Sequence, residues 1–233
     1  MTENYATTGI ILAAGSSKRF GQNKLLAQLN DKPVLAYSLE AFENSSFVNS
    51  IILVTSESIK KTVATVARNY NITKLKNIVI GGKTRQESVK NALEYLVKHN
   101  IKCLYVAIHD GARPLVTSKD IDNCIQGAVK HKATTLGIRP KDTIKQTENP
   151  YSKTVKSTTP RELLWVIQTP QAFEFDVIYQ AHEAAMKNNF NSTDDCALVE
   201  KQGIKPEIIE GSYKNLKITN PEDIDIASVF LNS

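Results

Sequence analysis

Strand-like and helix-like stretches alternate along the first ~140 residues, the rhythm of a parallel sheet whose crossovers are helices. Gly9-Ile10-Ile11-Leu12, Val48 to Thr55, Ile78 to Ile80, Leu104 to Ile108 and Thr134 to Ile138 read as short apolar strands. A helix starts at Pro33, with Val34, Leu35, Tyr37, Ser38, Leu39 and Phe42 on its inner stripe, and Ser56 caps a second that runs to about Tyr70. The capping-box spacing Thr84-Arg85-Gln86-Glu87 opens a third before Val89, Leu93 and Leu96; a fourth spans 118–131, capped by Ser118 or Thr117. This pattern predicts an α/β chain, in which ligands lie at the carboxyl ends of the strands.

The rhythm breaks at Arg139. From there to Pro160 the chain is polar, with two β-like snippets, Thr143-Ile144-Lys145 and Thr154-Val155-Lys156, on either side of Glu148-Asn149-Pro150. This predicts a projecting β-hairpin arm, and an arm needs a surface to lie against, so a symmetric dimer is expected. Core sequence resumes at Leu163-Leu164-Trp165-Val166-Ile167, followed by helices around 174–188 and after Ser192-Thr193-Asp194-Asp195. Pro206 to Glu210 reads as a late strand, and Asn220-Pro221 starts a last helix through about Phe230.

The 233 residues suffice for one well-buried domain, and 41% hydrophobic with 23% charged residues is ordinary globular composition. No apolar run reaches the ~18 residues of a membrane span, and MTENYATT lacks the layout of a signal peptide, so a cytoplasmic protein is expected. Cys103, Cys124 and Cys196 are widely separated and suit small core hydrophobes better than a disulfide framework or a zinc site. The net charge of +5 is spread without a basic tract, and aromatics are only 7%, so small phosphorylated substrates are a better match than nucleic acid.

Three stretches carry candidate chemistry. After the first strand, Ala13-Ala14-Gly15-Ser16-Ser17 has almost no side-chain bulk, and Lys18, Arg19 and Lys24 follow it. Bare backbone N–H groups followed by fixed cations are what holding a polyphosphate requires, although a plain strand–turn with solvated Lys and Arg has the same composition. The Walker pattern and G-x-G-x-x-G both fail here. Asp110, in His109-Asp110-Gly111-Ala112-Arg113-Pro114, ends a strand where ligands bind, or else caps a turn and pairs with Arg113. Thr193-Asp194-Asp195 reads as a helix cap in preference to a metal site. Arg85 and Ser88 fall in a first helical turn, where free N–H groups favour an anion.

The first of these stretches resembles the opening of the nucleotidyltransferases that build sugar nucleotides, with Leu12, Ala13, Ala14, Gly15, Arg19 and Lys24 matching a motif similar to L-A-A-G-x-(x)-x-R-(x)n-K. Together with Gly81-Gly82, Arg85, Ser88, the 109–114 turn, Asp142-Thr143, Arg161, Leu164-Trp165, Thr169-Pro170-Gln171, Thr193-Asp194-Asp195 and Asn215 to Thr219, the chain resembles the 2-C-methyl-D-erythritol 4-phosphate cytidylyltransferase family along nearly its whole length. It departs in having Leu12 where many relatives carry proline, and in a short gap between Arg19 and Lys24.

The resemblance implies a Rossmann-like, mostly parallel sheet with helices on both faces, of the nucleotidyltransferase and glycosyltransferase-A-like kind. It implies a single cytidylyltransferase domain over 1–233, with the arm at about 139–160. The implied reaction is transfer of CMP from CTP to methylerythritol phosphate in the non-mevalonate route to isoprenoid precursors; ribitol 5-phosphate is the alternative acceptor. Ala13, Ala14, Gly15, Gly82, Arg85, Ser88 and Asp110 would bind the nucleotide, and Asp110 would hold Mg²⁺ or another divalent cation. Arg19, Lys24 and Lys217 would be the catalytic cations around the α-phosphate. Thr143, Arg161 and Thr193 would hold the polyol phosphate, the first two serving the neighbouring subunit of a homodimer with exchanged arms. His109 is read as structural, bonded to its own loop.

Overall fold

The computed structural model describes residues 6–15, 20 and 23–232, so Arg19 lies outside the described residues. Strand β1 (Thr7–Ala13) leads to two short strands that pair with each other, β2 (Gln28–Leu29) and β3 (Lys32–Pro33), and then to α1 (Val34–Glu43). The alternation continues through β4 (Val48–Thr55), α2 (Lys60–Asn69), β5 (Leu75–Ile80), α3 (Arg85–Lys98), β6 (Tyr105–Asp110), α4 (Ser118–His131) and β7 (Ala133–Ile138). A second isolated pair follows, β8 (Ile144–Thr147) and β9 (Val155–Thr159), bonded to each other and exposed along most of their length. The chain then runs through β10 (Val166–Glu174), α5 (Phe175–Lys187), α6 (Cys196–Glu200), β11 (Glu207–Glu210) and α7 (Glu222–Leu231).

Seven strands form one sheet in the order β11-β7-β10-β6-β1-β4-β5. Within it β5, β4, β1 and β6 are parallel, β11 is parallel to β7, and β10 runs antiparallel to both its neighbours. The mostly parallel α/β sheet is therefore present, with one reversed strand. Adjacent residues of the central strands point to opposite faces. Ile11, Leu53 and Ala107 join Leu39 and Phe42 of α1, Val63 of α2 and Ile125 of α4 on one side. Ile10, Ile52, Val106 and Ile108 join Val89 and Leu93 of α3 and Ile178 of α5 on the other. Each such fully buried side chain contributes about 1.5–3 kcal/mol, which is why these strands read as unbroken apolar runs. Gly9 of β1 makes room for Phe42, whose ring a Cβ would meet at 2.5 Å.

The local readings need three corrections, and one open choice is decided. The third strand begins at Leu75 rather than Ile78, because Leu75 and Asn77 pair with Ile51 and Ile52 of β4, with the polar Lys76 passed over at a register shift. Ser56 caps no helix: a 3₁₀ turn over Glu57–Ile59 precedes α2, and the Ser56 hydroxyl bonds Ser58 instead. Of the two caps offered for α4, Thr117 is the one used, in a full capping box with Asp120. The stretch Leu163 to Ile167 is not core, since Leu163 is 74%, Val166 46% and Ile167 36% exposed. Val166 and Ile167 pair with the far end of β7, outside both apolar layers, and the buried part of β10 starts at Gln168.

Candidate active site

A cavity of about 360 Å³ opens at the carboxyl ends of β1 and β6. Register places Leu12 beside Asp110 and Ala13 beside Thr55, so three parallel strands end at one level and their following loops converge. Ala14 and Gly15 line the cavity from the β1 side, and Gly82, Arg85 and Ser88 from the start of α3. Lys24, Asp110 and Lys217 complete its charged wall. Ala13 does not reach it; the residue is buried in the sheet, and its carbonyl accepts a hydrogen bond from Thr55 Oγ1.

The α3 end of the cavity is held by short-range bonds. Thr84 Oγ1 caps α3 by accepting from the Glu87 N–H at 3.0 Å. The Ser88 hydroxyl donates to the Thr84 carbonyl at 2.8 Å and accepts from the Gly82 N–H at 3.1 Å, so it also shapes the Gly81-Gly82 loop. Gly81 is required by close approach: a Cβ there would meet Ser88 Oγ and Ala14 Cβ, each at 2.7 Å.

Asp110 occupies the last position of β6, and its N–H donates to Thr169 Oγ1 at 3.0 Å. Its carboxylate lies between two cations, Lys217 Nζ at 2.6 Å and Arg85 Nε at 3.4 Å. Burial pushes the carboxyl up, but Arg85 and Lys217 outweigh it and hold Asp110 well below the ordinary carboxylate range. Of the two sequence readings of Asp110, the pairing with Arg113 is absent. Arg113 Nη1 instead donates to the Asn215 carbonyl at 2.8 Å and so ties the 109–114 turn to the loop that carries Lys217. Asn215 donates to the Thr169 carbonyl, and the Ile218 N–H to the Ala112 carbonyl at 2.8 Å. Lys217 is thus suspended between two fixed points. Lys24 Nζ donates to the Ile218 carbonyl at 2.6 Å, which places this cation at the same edge.

His109 is fully buried and structural in its contacts. Its Nε2 faces the Arg113 carbonyl at 3.4 Å and its Nδ1 faces Thr169 Oγ1 at 3.0 Å. A carbonyl only accepts, so Nε2 carries a proton, and Nδ1 can accept from the Thr169 hydroxyl when the ring is neutral. Burial pushes its pKa down to about 3.

Sequence reasoning missed the most buried member of this charge network. Asp195, 1% exposed, takes Arg85 Nη1 at 2.7 Å on one oxygen and His182 Nε2 at 3.2 Å on the other. The helix-cap reading holds for its neighbour, because Asp194 Oδ1 accepts from the Ala197 N–H at 3.1 Å. For Asp195 the cap reading fails, and no side-chain cap bond is formed. The usable signal was Arg85 itself, since a cation folded against a sheet requires an anion close by. Burial acts against the Arg85 charge, but Asp195 and Asp110 raise its pKa further. Thr143, Arg161 and Thr193 are exposed and do not line the cavity; Arg161 Nη1 donates to the Lys141 carbonyl.

Among the described residues no group of three or more His, Cys, Asp and Glu could hold a metal unaided. The single carboxylate among the cavity-lining residues, Asp110, nonetheless suits a hard cation whose other ligands come from substrate phosphates, the usual arrangement for Mg²⁺.

A mostly parallel α/β sheet with a cation-rimmed pocket at its strand ends, built on backbone-lined loops, suits a phosphate-bearing ligand, and the family match places the chain in the nucleotidyltransferase class. Comparison with known proteins makes the class specific. The family model IspD, 2-C-methyl-D-erythritol 4-phosphate cytidylyltransferase, matches residues 7–233, and the chain belongs to this family. The 2-C-methyl-D-erythritol 4-phosphate cytidylyltransferase of Clostridium beijerinckii is 43% identical over 229 residues, 97% of this chain and 98% of that one. That of Halalkalibacterium halodurans is 41% identical over 224 residues, 95% of each chain. Among solved structures, the 4-diphosphocytidyl-2C-methyl-D-erythritol synthase of Anaerococcus prevotii superposes with a TM-score of 0.85 at 28% identity, covering 97% of this chain and 96% of that one.

Proposed function

We propose that this protein transfers CMP from CTP to 2-C-methyl-D-erythritol 4-phosphate, releasing pyrophosphate, in the synthesis of isoprenoid precursors. The observation that carries the reading is the cavity at the ends of β1 and β6, where Arg85 and Lys217 flank Asp110 and Lys24 lines the same wall, in a chain of this family. The relatives' names favour methylerythritol phosphate over ribitol 5-phosphate as acceptor.

The chemistry follows from the charges. The acceptor phosphate is already an anionic nucleophile, so no side chain has to remove a proton from it. The barrier is repulsion between two anions, together with charge that grows on the α-phosphate and the departing pyrophosphate. Lys24, Lys217 and Arg19 are the cations assigned to that charge, and Lys24 and Lys217 stand in the cavity wall before the reaction starts. Gly82, Ser88, Arg85 and the backbone of Ala14 and Gly15 receive the nucleotide. Asp110 would hold the divalent cation, whose chemistry is to neutralise phosphate charge and orient the triphosphate. Both carboxylate oxygens already face cations, so Lys217 and Arg85 keep Asp110 ionised for that task.

The acceptor side is assigned to Thr193 and, across a homodimer with exchanged arms, to Thr143 and Arg161 of the neighbouring copy. The supporting facts are that the β8–β9 pair bonds only itself, and that Leu163, Val166 and Ile167 expose apolar surface at its base. One domain over 1–233 and a cytoplasmic site of action belong to the same proposal and rest on the sequence alone.

The test is pyrophosphate release with CTP and Mg²⁺, offering methylerythritol phosphate and ribitol phosphate separately. Turnover with methylerythritol phosphate is expected; turnover with ribitol phosphate alone, or with neither, refutes the reading. Mixing Lys217→Ala with Arg161→Ala protein should regain activity that neither has alone, and no recovery after subunit exchange refutes the shared site.

A further inference from the structure

The Arg85 guanidinium has one anchored edge and one unspent edge. Nη1 is fixed on Asp195 at 2.7 Å, whereas Nε makes only the 3.4 Å contact to Asp110, and Nη2 is buried without a hydrogen-bond partner among the described residues. The residue stands in the wall of the nucleotide cavity with its Nε beside Asp110 of the same wall, so the Nε edge is the one an arriving anion would meet. Where it points depends on how firmly the anchored edge is held.

That in turn depends on Asp195. Its backbone N–H donates to Gln171 Oε1 at 3.0 Å, which fixes the main chain but leaves the carboxylate free to turn about its last bond. The turn is blocked by His182 of α5, whose Nε2 faces Oδ1 at 3.2 Å, as Arg85 takes Oδ2. His182 is 1% exposed, and its Nδ1 has no partner among the described residues. It lines a separate cavity of about 240 Å³ together with Gln86, Lys90 and Asn189. The contact to Asp195 is therefore the one hydrogen bond the His182 ring makes among the described residues. Arg85 already supplies the counter-charge that Asp195 needs, so what His182 adds is direction.

We infer that His182 is a positioning residue for nucleotide binding: acting through Asp195, it sets the rotation of the Arg85 guanidinium and holds its Nε edge towards the incoming CTP. The inference rests on the functional reading above in taking Arg85 as a nucleotide contact. No spacing in the sequence marks the pair, since His182 lies within α5 and Asp195 at the position before α6, 13 residues on.

The experiment is CTP titration by calorimetry on the intact protein, comparing the parent with His182→Leu, His182→Gln, Asp195→Asn and the His182→Leu/Asp195→Asn double variant. His182→Leu is expected to weaken CTP binding ~10-fold, the usual scale for losing the partner that orients a binding side chain. The KM for CTP should rise with it, and the KM for the acceptor should not. His182→Gln, whose amide nitrogen reaches the place of Nε2, should restore most of the affinity. The double variant should bind no more weakly than Asp195→Asn alone. Parent-like affinity in His182→Leu, or losses that add in full, overturns the inference. If His182→Leu does not fold, His182→Asn against His182→Gln makes the same comparison: the shorter amide should bind CTP more weakly, and equal affinity overturns it. A parent that binds CTP without turning over methylerythritol phosphate refutes the proposed reaction and leaves this comparison standing; a parent that binds no CTP overturns both.

Discussion

Replacing Lys217 by alanine separates the two tasks this side chain performs. In the resting protein Lys217 Nζ pairs with Asp110 at 2.6 Å, and its side chain is 43% exposed. Unit charges ~4 Å apart attract by about 4 kcal/mol at an effective dielectric near 20, but solvent at a side chain this exposed reduces the net contribution to ~1 kcal/mol or less. Asp110 would remain charged in the variant, because Arg85 still faces its other oxygen. Heat unfolding should therefore shift by only about 2–4 °C. In the reaction, by contrast, Lys217 faces charge that builds on phosphate oxygens, and loss of such a group typically costs about 2.7–4 kcal/mol of barrier, or 10²–10³ in rate. Lys217→Ala should thus keep its fold while kcat for pyrophosphate release, at saturating CTP and methylerythritol phosphate, falls 10²- to 10³-fold. A kcat within ~10-fold of the parent would show that Lys217 is only a counter-ion for Asp110, and the assignment of transition-state charge to this edge of the cavity would be wrong.

Two further predictions concern the buried support beneath the site. Thr169→Val keeps the shape but removes the acceptor for the Asp110 N–H and the hydroxyl facing His109 Nδ1; leaving these groups unpaired should cost about 1–3 kcal/mol and lower the melting temperature by several degrees in calorimetry. An unchanged midpoint would show that the chain of bonds through Thr169 adds nothing. His109 titrates at about 3 in the folded protein against an ordinary value of 6.5, so below pH 6.5 the unfolded chain takes up a proton that the folded one refuses. The stability from this group is complete above pH 6.5 and is lost as pH falls towards 3, amounting to ~2 kcal/mol by pH 5. Denaturant titrations of the parent and His109→Gln at pH 7 and pH 5 should show that slope in the parent alone; equal slopes would sink the account.

Much of this protein is determined by local sequence. Apolar runs such as Ile10-Ile11-Leu12 and Ile51 to Val54 have no polar face, so they must be strands covered on both sides, and the helices between them supply the cover. The small-residue stretch that follows β1 and the acid ending β6 were legible for the same reason: strand ends are set by short-range signals, and a parallel sheet brings its strand ends together. Ala14, Gly15, Lys24, Gly82, Arg85, Ser88, Asp110 and Lys217 accordingly meet at one cavity.

What the linear chain did not disclose are the pairings made across it. Hydrophobicity alone put Leu163, Val166 and Ile167 in the core, whereas the place of β10 in the sheet leaves them exposed. Asp195 looked like a cap because Thr-Asp-Asp before a helix satisfies local N–H groups, and Asp194 does act that way. Its neighbour is taken instead by Arg85, 110 residues earlier, and by His182 on another helix. A buried charge is bound by whichever opposite charge the fold brings within about 3 Å, and that depends on how the helices pack on the sheet, a quantity set by the whole tertiary structure and by no stretch of the sequence.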